Sequence, residues 1–190
     1  VGCATPLPRK DNFKPDPLLP TETNIGTDYV NSGYDRGHLM PAKSNQCQTT
    51  FVQDECFYYS NMAAQTHRLN AGDWKSLETL TREWAVAQDS VHIWAGNIGE
   101  IKRIGGTAVP KQCWKVVHIK KTNEWFFYLF DNDLSRFKHF QFVTLKSASH
   151  SQSSSLRNTN RKPPSSMGFS LACSMLNLRN SFEKNFLSSL

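Results

Sequence analysis

No stretch of this sequence approaches the roughly 20 consecutive apolar residues that span a bilayer, so nothing in it reads as a membrane segment. The five cysteines, at 3, 47, 56, 113 and 173, are odd in number, and none has the C-x-x-C spacing of a zinc site. No H-E-x-x-H places two imidazoles on one helix face, and no G-x-S-x-G frames Ser165 or its neighbours. A zincin site and a serine-hydrolase elbow are thereby disfavoured. Acid is also missing where it would be expected: no Asp or Glu occurs between Asp133 and Glu183.

That gap governs the charge. The net charge is +6, yet residues 1–133 hold 14 Lys+Arg against 15 Asp+Glu, and residues 134–190 hold eight basic residues against Glu183 alone. A uniformly basic nucleic-acid-binding domain would not divide its charge this way, so chemistry must be read from motifs. A hydrophobic content of 38% and an aromatic content of 12% fit a folded chain, and the length suits one globular domain. Cys47 with Cys56 across a short loop, or Cys3 with Cys113 on neighbouring strands, are candidate disulfides that would point to an oxidising compartment. Small buried thiols explain the same residues equally well.

Residues 5–20 contain five prolines and read as an extended loop, and Asn24 to Tyr34 as another. Phe57 to Ser60 suits a short strand. Trp74, Leu77, Leu80, Trp84 and Ala87 recur every three or four residues and predict a helix over Asp73 to Gln88. Val91 to Ala95 predicts a strand ended by Asn97 and Gly99, and Cys113 to Ile119 with Trp125 to Phe130 predicts a strand–turn–strand unit. The class is α+β. Past Leu145 the chain becomes Ser-rich, with eight serines in residues 147–166, and is expected to be disordered. Leu171, Met175, Leu178, Phe182 and Phe186 suit one short amphipathic helix beyond it.

Asp35-Arg36-Gly37-His38 is the sharpest local signal. It sets a guanidinium and an imidazole beside a glycine that permits close backbone approach. Arginine grips phosphate through two donors, and histidine, which titrates near ~6.5, takes a proton from water near neutral pH. A turn carrying a packed histidine accounts for the tetrapeptide equally. Asn70 and Glu78 are eight residues apart, about 80° around a helix, on one edge of the apolar stripe. An amide oxygen and a carboxylate there suit a hard cation such as Mg²⁺. The competing role for Asn70 is a helix cap, with Asp73 three residues on.

Together the D-R-G-H tetrapeptide, the Ser60-Asn61 pair and the Asn70 to Glu78 spacing resemble the DNA/RNA non-specific endonucleases of the ββα-metal class, which include endonuclease G. The resemblance runs from Val1 to about Leu145. It implies an antiparallel sheet flanked by helices in a nuclease domain over residues 1–145, with residues 146–190 an atypical tail. By the resemblance His38 is the general base and Arg36 a phosphate contact. Asn70 is the direct Mg²⁺ ligand, with Mn²⁺ as an alternative ion, and Glu78 acts through metal-bound water. Asn61 supports the site by hydrogen bonding, and Arg9 stands where the family often has a second phosphate-binding arginine. DNA and RNA are the implied substrates, cut to 5′-phosphate and 3′-hydroxyl ends, with no membrane partner. The expected compartment is secreted or extracytoplasmic, with an organellar alternative. A nucleic-acid-binding module of the same fold without activity is the rival reading.

The family domain begins with a strand that Val1 to Thr5 enters part-way, and its usual closing segment is missing after Leu145. A changed reading frame would produce the abrupt shift in composition, and resequencing of the coding DNA tests it. His67, His92, His118, His139 and His150 are scattered and read as surface or core. Trp74 and Trp84 read as core, and Lys120 and Lys121 as solvated turn charges.

Overall fold

The computed structural model describes residues 3–19 and 25–133, with the backbone of 141–146. The Ser-rich stretch, the helix expected over Leu171 to Phe186, His139, His150, Ser165 and Cys173 lie outside the described residues. Short strand β1 (Tyr34–His38) pairs antiparallel with β2 (Met62–Thr66), His38 facing Met62 and Tyr34 facing Thr66. Asp35 to His38 is therefore a strand rather than a turn. Gly37 is required there, because a Cβ would run into the Gln65 side-chain amide on β2. Between the two strands lies the short helix α1 (Thr50–Glu55), capped by the Thr49 hydroxyl, which accepts from Val52 N at 3.3 Å.

After β2 the chain enters a helix in three steps: α2 (His67–Leu69), a π turn over Asn70–Trp74, and α3 (Lys75–Ala87). Thr66 caps the first step, its hydroxyl accepting from Leu69 N at 3.2 Å. Gly72 departs from helical geometry (φ −99°, ψ −109°) and widens the turn. The predicted helix thus begins at Lys75 rather than Asp73. Its stripe holds as far as Trp84: Trp74 and Leu77 are buried and Leu80 and Trp84 pack partly buried against the same cluster, whereas Ala87 is exposed.

That cluster is supplied by a four-stranded antiparallel sheet in the order β3 (Val91–Ile104), β4 (Thr107–Ile119), β5 (Glu124–Asp131) and β6 (Gln141–Lys146). Cys113 and Val117 of β4 and Tyr128 and Phe130 of β5 face the helix. Alternation and β-branched or aromatic residues explain why these strands form. The β4–β5 unit was legible in the sequence. β3 is longer than predicted, because Asn97 pairs with Cys113 and the ladder continues past Gly99, at φ 65°, to a register shift between Glu100 and Lys102. Phe57 to Ser60 is not a strand: Phe57 is wholly buried, and Tyr59–Asn61 is a 3₁₀ turn leading into β2.

Asn132, wholly buried just after β5, staples the hairpin to the sheet. Its Oδ1 accepts from Thr66 N at 2.8 Å, and its Nδ2 donates to Ala64 O at 2.8 Å and Pro110 O at 3.0 Å. Asp28 performs a similar service for the loop before β1: its Oδ2 accepts from Thr107 N at 2.9 Å and Thr107 Oγ1 at 2.7 Å.

The amino-terminal segment runs as an irregular strap, and Cys3 to Thr5 do not form a strand. A Cys3–Cys47 disulfide (Cα–Cα 5.5 Å) ties it down, so neither Cys47–Cys56 nor Cys3–Cys113 is the pairing. Cys56 and Cys113 are buried thiols. Leu7 N donates to Gln46 O at 2.7 Å, and Lys14 bridges Tyr58.

Candidate active site

His38 ends β1 with its ring among aromatic edges, 5.8 Å from Phe13 and 5.3 Å from Phe57 between centroids. Burial, with the nearby Arg9 guanidinium adding to it, lowers the imidazole to about 4, while a hydrogen bond to the Arg36 backbone opposes the shift. His38 is therefore neutral across the physiological range, and its Nε2 has no hydrogen-bond partner within the protein. A neutral imidazole with an uncommitted ring nitrogen is the state in which histidine accepts a proton. The sequence expectation of titration near ~6.5 is corrected by this desolvation.

The loop beyond His38 is fixed by Asn61. Its Oδ1 accepts from Met40 N at 2.9 Å, its Nδ2 donates to Met40 O at 2.9 Å and Cys56 O at 2.8 Å, and its carbonyl accepts from Leu39 N at 2.9 Å. The side chain thus binds the residues flanking the site rather than facing its centre.

Arg36 lies two residues before His38 and so on the same face of β1. Its guanidinium lies 4.9 Å from the Phe13 ring centroid and 5.6 Å from that of Tyr29. Nη2 donates to Gly26 O at 3.2 Å, and Nε has no partner. Stacking fixes the plane of the fork and leaves donors for an anion. An open cleft of about 340 Å³ beside it is lined by Phe13, Tyr29, Tyr34, Asp35, Arg36 and Asn70. Arg9 is exposed, paired with Asp11 at 2.7 Å, and its guanidinium lies 5.2 Å from the Phe57 ring. The strap thus delivers a second cation to the neighbourhood of His38.

Asn70 opens the π turn and does not cap a helix with its side chain. Instead its Nδ2 donates to Asp35 Oδ2 at 2.9 Å, an atom that His67 Nδ1 also meets at 2.8 Å. The amide nitrogen is committed to Asp35, which leaves the oxygen as the other polar atom of the Asn70 side chain, and both residues line the cleft. This donor set is hard and oxygen-based. Among the described residues no group of three or more His, Cys, Asp or Glu surrounds it. A cation that prefers oxygen and retains several waters fits such a site, and a structural zinc does not.

Glu78 sits two turns further on, nearly buried, its Oε1 3.7 Å from Lys115 Nζ. Burial pushes its carboxyl upward against the attraction of Lys115 and Arg82. Trp74, between Asn70 and Glu78 along the helix, donates its indole N–H to His38 O at 2.9 Å.

Sequence reasoning missed three residues that contact these side chains. Asp35 was legible only as the first letter of the tetrapeptide, and its role depends on the β1–helix juxtaposition. His67 read as surface or core; it is exposed and stands at the edge of the Asp35–Asn70 pair. Lys115 falls inside the strand predicted over Cys113 to Ile119, and only burial sets it apart.

A family model described as DNA/RNA non-specific endonuclease matches residues 4–165, crossing the expected boundary at 145. A nuclease of Nostoc sp. is 37% identical over 113 residues, covering 57% of this chain and 41% of that protein. The human mitochondrial nuclease EXOG is 32% identical over 126 residues, covering 58% and 34%. Human mitochondrial endonuclease G is 38% identical over 69 residues, covering 36% and 23%. This chain therefore spans less than half the length of these relatives. A chain of the solved EndoG/EndoGI complex superposes with a TM-score of 0.55 at 27% identity, covering 64% of this chain and 57% of that one. The α+β arrangement of an antiparallel hairpin, a helix and an antiparallel sheet is the ββα-metal nuclease fold expected from the sequence. This chain belongs to the DNA/RNA non-specific endonuclease family.

Proposed function

We propose that this chain hydrolyses phosphodiester bonds within DNA and RNA, with His38 as general base. The observation that carries the reading is a desolvated, neutral His38 sharing one strand face with a stacked Arg36, which itself lines a cleft with Asp35 and Asn70. His38 Nε2 takes a proton from a water that attacks phosphorus. Arg36 holds the phosphate and offsets negative charge as it builds, and Arg9 supplies a second, more exposed cation. Phe13 and Phe57 keep bulk water from the imidazole, and Asn61 keeps the loop beyond it in place.

Asn70, through its side-chain oxygen, would hold Mg²⁺ or Mn²⁺, and Glu78 would face the same ion through water. Such an ion stabilises charge on the phosphoryl and leaving oxygens. Asp35 orients the Asn70 amide for this task.

None of these groups reads a base edge or requires a 2′-hydroxyl, which supports cleavage of both DNA and RNA with little sequence preference and with 5′-phosphate and 3′-hydroxyl ends. No helix among the described residues is long and apolar enough to cross a membrane. The Cys3–Cys47 disulfide supports an oxidising compartment, secreted or organellar, and two of the relatives are named mitochondrial.

Plasmid nicking tests the reading. Cleavage is expected with Mg²⁺ and is expected to stop with EDTA. A gel shift with no cleavage under either condition would favour a binding module instead.

A further inference from the structure

Lys115 has no part in the reading above, yet it occupies a costly position. It is 1% exposed and lies between Cys113 and Val117 on the face of β4 that the helix covers. Packing alone is served there by an apolar chain of similar length, and burying an ammonium is unfavourable unless it is compensated. Two groups compensate it. Its Nζ lies 3.7 Å from Glu78 Oε1 and 4.0 Å from the centroid of the Trp74 ring. Trp74 and Glu78 are four residues apart and so stacked on one helix face.

These contacts lead back to the site. The Trp74 indole that receives the ammonium on its face donates its N–H to the His38 carbonyl at 2.9 Å. Arg82, the other cation near Glu78, is committed elsewhere through Nη2, which donates to Thr79 Oγ1 at 2.9 Å, and it belongs to the same helix as Glu78. Among the described residues Lys115 is the charged group that approaches from the sheet, and so it references the carboxylate to a second rigid element.

We propose that Lys115 is a positioning residue: it holds the Glu78 carboxylate in one orientation relative to Trp74 and His38, and so sets the affinity of the Asn70–Glu78 site for its divalent cation. The inference rests on the cation reading given above. Lys115 touches neither substrate nor cation and acts entirely through Glu78. Partners of this kind, one contact removed from a metal, typically change affinity by about 10–100-fold when lost.

The test is Mn²⁺ binding to the full chain without nucleic acid, followed by the loss of the free-ion electron paramagnetic resonance signal. Unfolding curves fix the folded fraction of each variant. Lys115→Met should weaken Mn²⁺ binding by about tenfold or more, as should Glu78→Gln. Lys115→Met combined with Glu78→Gln should bind no more weakly than Glu78→Gln alone. Where Lys115→Met alone does not fold, Lys115→Gln, which removes the charge but keeps a polar chain of similar length, takes its place in the same comparison. Unchanged affinity in folded Lys115→Met, or losses that add in the double variant, would overturn the proposal. Asn70→Ala separates the two readings. If Asn70→Ala weakens binding and Lys115→Met does not, only the role of Lys115 fails. If Asn70→Ala leaves binding unchanged, the cation reading fails and takes this inference with it.

Discussion

The side-chain amide of Asn70 donates to the Asp35 carboxylate across 2.9 Å, joining the π turn to the strand that ends in His38. The bond commits the amide nitrogen and leaves the side-chain oxygen as its other polar end. It also explains why the tetrapeptide begins with an acid, a position to which sequence alone gave no task. Asp35→Ala frees the Asn70 amide to rotate. The Mg²⁺ concentration for half-maximal cleavage should then rise by about tenfold or more, with much the same rate at saturating metal. Metal titrations of wild type and variant check this, and coincident curves would remove Asp35 from the site.

The pH dependence follows from the desolvation of His38. With the imidazole lowered to about 4, the acid limb of kcat/KM should lie well below the ordinary histidine range near ~6.5. The same shift has a stability consequence. Below ~6.5 the unfolded chain binds a proton that the folded chain refuses until about pH 4. Stability from this group is therefore complete above ~6.5 and is lost as pH falls through that window, by about 3 kcal/mol in all. Urea unfolding between pH 7 and 4 should show the slope in wild type and lack that contribution in His38→Asn.

Asn132 was invisible to pattern reasoning, although it ties the β1–β2 hairpin to the main sheet by three buried side-chain hydrogen bonds. Asn132→Ala strands Thr66 N–H, Ala64 C=O and Pro110 C=O without these partners. About 3 kcal/mol of stability should be lost, given ~1–3 kcal/mol for each unsatisfied buried group and partial relaxation. Chemical denaturation measures it, and a loss below about 0.5 kcal/mol would show that the hairpin is held by other means.

What the sequence revealed was whatever depends on local order. Helical periodicity marked Trp74 to Trp84, and runs of apolar β-branched and aromatic residues marked β4 and β5, whereas Asn70 lies in the π turn and Gly72 departs from helical geometry between it and Glu78. What it concealed depends on chain crossings. Phe57 looked like strand because its aromatic neighbours favour strands, whereas it is spent as a buried platform beneath His38. Gly99 looked like a terminator, but the β3–β4 pairing continues on both sides of it. Lys115 looked like an ordinary strand residue, because burial opposite Glu78 is a property of the sheet meeting the helix. The Cys3–Cys47 bond joins segments with a sequence separation of 44, and no local pattern selects that pair over others.

The strap that carries Arg9 and Phe13 is anchored by that disulfide. Reduction should destabilise the folded chain by about 4 kcal/mol on the loop-entropy estimate. It should also weaken substrate binding as Arg9 and Phe13 lose their anchorage. Thermal unfolding and KM with and without reductant check both, and a Cys3→Ser, Cys47→Ser variant should reproduce the reduced form and no longer respond to reductant.

The most direct test of the account is the single-turnover cleavage rate of His38→Ala on a DNA duplex at saturating Mg²⁺, with the fold checked by circular dichroism and DNA binding measured separately. Removal of the base while Arg36 and Asn70 remain should lower the rate by about 10²–10⁴-fold and leave DNA affinity nearly unchanged. A folded His38→Ala protein that cleaves at close to the wild-type rate would contradict the account.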